Sequence, residues 1–146
     1  MKISTKGRYG LRAILDLAIH SKGEHISLLS IANRQGVSVN YLEQVFSNLR
    51  KAGLINSIKG AQGGYMLSAL PSEIRVGDIL RCLEGDLCAA NEEAEKDEEL
   101  TPIQQCIAAN VWSKINNGIN DVVDSITLGD LVDDYNGMNQ YPMFYI

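Results

Sequence analysis

This chain has no apolar run approaching the ~20 residues needed to span a bilayer. It opens with Lys2, Lys6 and Arg8, but Gly10, Arg12 and Asp16 interrupt the next apolar residues, so the core of a signal peptide is missing and a cytoplasmic protein is expected. Cysteine is scarce and odd in number: Cys82, Cys88 and Cys106 favour free thiols or a metal centre over a disulfide framework. Histidine is scarcer still. His20 and His25 fall at a predicted helix end and in a loop, and no Ser or Cys is visibly paired with a base, which argues against an enzyme. What remains is an ordinary globular composition, 45% apolar and 21% charged, long enough for one modest core with an appended element.

The net charge of −5 is unevenly spread. Residues 1–75 carry ten basic and four acidic side chains, a net of +6, whereas residues 76–146 carry three and fourteen, a net of −11. A basic first half beside an acidic second half suggests that only the first faces phosphates.

The stretch from Ser27 to Leu67 organises the chain. Ser27 is a good N-cap for a helix over Leu28–Gln35, Gly36 supplies a tight turn, and Val37 plugs the angle. Ser38 then caps a helix from Val39 to about Ala52, with Leu42, Val45, Phe46 and Leu49 on its apolar face and Asn40, Tyr41, Glu43, Gln44 and Ser47 opposite. Two β-prone runs, Leu54–Lys59 and Gly64–Leu67, flank a Lys-Gly-Ala-Gln-Gly-Gly turn that puts Lys59 and Gln62 at a wing tip. The whole is the pattern of a winged helix-turn-helix, which lays its second helix in the DNA major groove.

Before this stretch, Ser4 and Thr5 cap a helix reaching about Ser21, with Lys2, Lys6 and Arg8 at its start; they could hold a DNA backbone or simply solvate a helix end. After it, Pro71 and Ser72 lead into a helix over about Val76–Leu83, and residues 85–100 read as a flexible acidic loop. Thr101-Pro102 opens the longest helix. Its β-branched stripe, Ile103, Ile107, Val111, Ile115, Ile119, Val122 and Ile126, exceeds what a small winged domain needs to cover itself, so a homodimer crossing at this helix is expected. Thr127 caps a short closing helix, Leu128–Val132. The fold expected is thus mainly α with a small β-wing. A winged domain (1–84) precedes the acidic loop (85–100), the dimerisation and closing helices (101–134) and a tail (135–146).

The segments MKISTKGRYGLRAILDLA, SVNYLEQVFSNLRKAGLINSIKGAQGGYML and ITLGDLV resemble the Rrf-two family of bacterial winged-helix regulators. The match runs from Met1 to about Leu83 and resumes over Gln105–Val132. The resemblance implies a homodimeric transcriptional regulator bound to palindromic double-stranded DNA. Ser38, Asn40, Tyr41, Glu43 and Gln44 would face the groove, and Lys59 would reach the minor groove. By chemistry Gln44 can pair with adenine and Glu43 can accept from cytosine N4, while Asn40 and Tyr41 could equally serve phosphates.

Some members of the family hold an iron–sulfur cluster on three close cysteines and a histidine. Here the spacings are wider, Ala109 stands at the histidine position, and Cys82 lies in a predicted helix where it would pack as a small apolar residue. Cys88 and Cys106 remain as candidates for a cluster ligand pair or a redox switch, though the acidic loop between them opposes thiolate formation; plain thiols and no cofactor are expected. The ending MFYI resembles the family's cysteine-metabolism repressor branch, which works with cysteine synthase. Tyr145 and Ile146 would then dock that enzyme as the tail of serine acetyltransferase does. A protein-interaction module acting on an enzyme through this tail stays open beside the DNA-binding reading.

Overall fold

The computed structural model describes residues 1–140 of the chain. Ser4 accepts from Gly7 N to start α1 (Thr5–Ser21), whose apolar face buries Ala13, Ile14 and Leu17 completely. The helix-turn-helix comes next as α2 (Leu28–Gln35) and α3 (Val39–Lys51), each begun by the expected serine: Ser27 Oγ accepts from Ser30 N and Ser38 Oγ from Tyr41 N. Between them Gly36 sits at φ 65°, a left-handed turn that an L side chain resists. Leu42, Val45, Phe46 and Leu49 are at most 1% exposed, so the predicted spacing of α3 is its buried stripe.

Strands β1 (Ile55–Ile58) and β2 (Gly64–Leu67) pair antiparallel, Ile55 opposite Leu67 and Ile58 opposite Gly64. Ile26 extends this wing as a one-residue third strand, exchanging backbone hydrogen bonds of 2.9 and 2.8 Å with Tyr65. The Tyr65 ring meets Phe46 edge-on at 5.0 Å, which fastens the wing to α3. A 3₁₀ turn, Pro71–Glu73, leads to α4 (Val76–Glu84), which lies against both α1 and α3.

The long helix is continuous but not uniform. It consists of α5 (Pro102–Ile107), a π turn (Ala108–Trp112) in which Ser113 N donates to Ala108 O, and α6 (Ser113–Asp124). Its start is the expected Thr101 cap, completed as a capping box by Gln104. A stripe spaced strictly by four residues drifts about 40° per step around a straight α-helix. The wider π turn takes up part of that drift along the row from Ile103 to Ile115.

Two expectations need correction. The closing helix does not stop at Val132; α7 runs from Leu128 to Gln140, so the first part of the predicted tail is helical. Asp130, accepting from Thr127 N while its own N–H bonds Thr127 Oγ1, fixes its first turn. The acidic stretch 85–100 has no helix or strand, yet it is fastened along the long helix. Asn116 accepts from Ala89 N at 2.7 Å and donates to Ala90 O, Asn120 donates to Leu87 O, and Trp112 Nε1 donates to Glu92 at 2.9 Å. These asparagines had no assigned task in the pattern of the sequence.

Candidate nucleic-acid interface

The reading helix presents Asn40, Glu43 and Gln44 to solvent, on the side opposite its buried stripe. Two of its expected contacts are partly committed elsewhere. Ser38 spends its hydroxyl on the helix cap. Tyr41 is half-buried, packed against the core with its ring edge-on to Tyr9 at 6.2 Å. The Arg12 guanidinium covers the other ring of that pair at 4.8 Å and donates to Gln35 O at 2.7 Å, closing the carbonyl end of α2.

What holds the helix-turn-helix in place is Asp16, which sequence reading passed over. It is an acid on the inner face of α1, with a side chain only 1% exposed. Arg34 of α2 grips it through Nε (2.9 Å) and Nη2 (2.7 Å), and Gln35 Nε2 donates at 2.9 Å. Burial by itself would raise the Asp16 pKa, but the hydrogen bonds from Arg34 and Gln35, with the charges of Arg34 and His20, outweigh it and hold the carboxyl below its ordinary 3.8. The only sequence signal was an Asp interrupting an apolar face, with an Arg 18 residues later.

Lys59 and Gln62 are exposed on the wing turn, which Gly63 N closes onto Gly60 O at 3.0 Å. At the chain start Lys2 and Arg8 are exposed, while Lys6 is half-buried. Arg8 also donates to Thr5 Oγ1. The first turn of α1 is held by Glu84, whose carboxylate accepts from Ser4 N (2.9 Å) and Gly7 N (3.0 Å), a negative charge where the helix dipole favours one.

The stripe on the long helix divides. Ile103 (73% exposed), Val111, Ile115 and Val122 face solvent and Ile107 is half-buried. Ile119 and Ile126 turn instead, with Val123, onto Val76, Leu80 and Leu87 of the same chain. Tyr145 and Ile146 lie outside the described residues. No described helix is long and apolar enough to cross a membrane.

The cysteines are not gathered. Cys82 is half-buried, packs against the main core, donates to Asn48 O at 3.4 Å and has its pKa raised by burial. Cys88 donates to Ala90 O and Cys106 is exposed. Among the described residues no three His, Cys, Asp or Glu side chains form a group that could hold a metal ion. Two thiols and an alanine at the histidine position do not fit a four-ligand iron–sulfur site.

The profile of the Rrf2 family, described as "Iron-dependent Transcriptional regulator", matches residues 3–134. The HTH-type transcriptional regulator CymR of Bacillus subtilis (strain 168) is 46% identical over 147 residues, covering all of both chains. The solved structure of CymR (YrzC), the global cysteine regulator of B. subtilis, superposes with a TM-score of 0.75 at 44% identity, covering 91% of this chain and 97% of that one. IscR of T. potens superposes at 0.74, also at 44% identity, over 100% of this chain and 94% of its own. That superposition takes in the capped reading helix, the wing and the long helix together. The chain belongs to the Rrf2 family of transcriptional regulators.

Proposed function

We propose that this regulator is a homodimeric, sequence-specific repressor of cysteine and sulfur metabolism genes, acting in the cytoplasm on palindromic operators. The observation that carries the reading is the face of α3: Asn40, Glu43 and Gln44 are exposed on a helix whose opposite side is locked into the core. Gln44 reads adenine, Glu43 accepts from cytosine N4, and Asn40, Ser38 and the Tyr41 hydroxyl bind backbone or base edges. Lys59 and Gln62 enter the minor groove, and Lys2, Lys6 and Arg8 bind phosphates. Two copies pair through Ile103, Ile107, Val111, Ile115 and Val122, with Ile119 and Ile126 supporting the joint from within. The likeness to a protein described as a global cysteine regulator supports the gene class.

The test is titration of labelled palindromes from upstream of sulfur-metabolism genes against scrambled duplexes. Binding should fall steeply with salt as phosphate contacts release counterions. Glu43→Ala and Gln44→Ala should each cost about 1–3 kcal/mol on the cognate site and relax preference there, while Lys59→Ala weakens every duplex evenly. Equal losses on cognate and scrambled DNA for the first pair would defeat the assignment.

The partnership with cysteine synthase rests on the sequence of the tail. Deleting Met143–Ile146 should abolish co-purification with that enzyme, and unchanged capture would remove the idea.

A further inference from the structure

We propose that Arg81 sets the distance between the two reading helices of the dimer, and with it the half-site spacing that the dimer accepts. The inference rests on the dimeric DNA-reading function proposed above. It starts from how the winged body is joined to the long helix. One point of attachment is a pair of backbone hydrogen bonds, Val76 N to Ile126 O and Leu128 N to Ile74 O, each 2.8 Å, around the bridge between Arg75 and Thr127. Around that bridge Ile119, Val123 and Ile126 pack on Val76, Leu80 and Leu87, and Leu128 is buried in the main core; these apolar contacts hold the body close but are non-directional.

Arg81 is the strut that adds a directional contact to this packing. It stands five residues along α4 from Val76, about 7.5 Å from that bridge at 1.5 Å per residue. Nη1 and Nη2 each reach one Asp124 oxygen at 2.8 Å, and Nη2 and Nε share Asn120 Oδ1 at 2.7 and 3.3 Å. The planar fork thus grips two residues one turn apart on α6, which fixes an angle as well as a distance. Space for it is reserved: a Cβ at Gly77 would overlap Asp124 Oδ1. Asn120 is itself held by donating to Leu87 O and Asn116 O, so the grip closes on a rigid surface.

Helix α4 carries that angle to the reading helix. Its neighbouring residue Cys82 donates to Asn48 O of α3, and Leu83 is buried in the same core as Val45 and Leu49. A rotation of α4 on α6 therefore moves α3 as a body. In a two-fold dimer the displacement appears twice, with opposite sense. Half-sites lie about 34 Å apart for each helical turn of DNA, so a few ångströms of rocking decide whether both helices reach their grooves. Asp78, at 3.8 Å from Arg81 and paired more closely with Arg75, is the other charge beside the strut.

The experiment compares the full-length chain with Arg81→Ala, Asp124→Ala and the exchanged pair Arg81→Glu/Asp124→Arg. A spin label on an unnatural keto amino acid at Lys51, at the exposed end of α3, reports the distance across the free dimer. Wild type should give a narrow distribution, both alanine variants one at least about twice as wide, and the exchanged pair a narrow one again. On DNA, the alanine variants should hold a single half-site within about twofold, yet lose about tenfold on the palindrome as the effective concentration of the second reader falls. Their penalty for one inserted base pair between half-sites should shrink. Equal label widths in wild type and Arg81→Ala overturn the inference, as does a loss of the same size on one half-site. A monomeric wild type would overturn the dimer reading and this one together; a well-spaced dimer that binds no palindrome overturns the DNA assignment alone.

Discussion

Helices α3 and α5–α6 carry apolar stripes of the same kind, and the structure uses them in opposite ways. On α3 the stripe is at most 1% exposed, closed in by α1, α4 and the wing. On the long helix no residue is fully buried, and four stripe residues face solvent. The basic body surrounds a core to which α7 adds only Leu128 among fully buried residues. The long helix, set among acidic residues, keeps a surface that a second copy would cover. An amphipathic pattern says that a face will be covered, never by which chain.

Substitutions at three positions test that contrast, in falling order of cost to the fold. Phe46→Ala removes a fully buried ring between α3 and β2 and should destabilise the protein by about 3–5 kcal/mol, read as a lower urea midpoint at unchanged slope. A loss below 1 kcal/mol would mean that Phe46 is not the close-packed centre of this core. Asp16→Ala leaves Arg34 without its partner. Because the Arg34 side chain is 35% exposed, the cost should be about 2–3 kcal/mol, below the roughly 3–5 kcal/mol of a fully buried pair. The same carboxylate gives the body a pH dependence. Its folded pKa is depressed below 3.8, so its contribution is complete above that value and disappears as pH falls through the lower, folded one. Asp16→Asn should flatten that acid limb in urea titrations carried from neutral pH to well below pH 3.8.

Ile115→Lys should cost the isolated fold less than about 0.5 kcal/mol, since the position is exposed. Light scattering should nevertheless find it monomeric, and its thermal midpoint should lose the rise with protein concentration expected of a dimer. A variant that stays dimeric would move the interface off this stripe.

The body was largely legible because its signals are local. Ser27, Gly36 and Ser38 punctuate α2 and α3 within a dozen residues, and the spacing of Leu42, Val45, Phe46 and Leu49 is helical by inspection. The winged helix-turn-helix pattern followed from these and from the glycine-rich turn, whereas the family came from the resemblance of three whole segments, the last of them ITLGDLV. The contacts that set angles were not legible. Asp16 with Arg34 and Arg81 with Asp124 join residues 18 and 43 apart, where only the fold makes them neighbours. Residues 135–140 read as part of a tail, yet α7 continues through Asn136 and Gly137, and Tyr135 lines a cleft with Arg12, Leu15 and Ile19 of α1. The division of the long stripe was hidden for a related reason: Val122 and Val123 are adjacent and chemically identical, yet one faces out and the other packs on α4.

The π turn at Ala108–Trp112 carries one residue more than an α-helix would need to cover the same length. Its two ends are thereby out of phase by about 100°, the rotation of a single residue. Ahead of it the helix carries the exposed Ile103; behind it, Asn116, Asn120 and Asp124 meet the loop and α4. A chain shortened by one residue here would keep an unbroken helix but could satisfy only one of those two sets at a time. The extra residue is a phase adjuster, and it makes this turn the place where a change of length, rather than of chemistry, would re-aim one half of the molecule against the other.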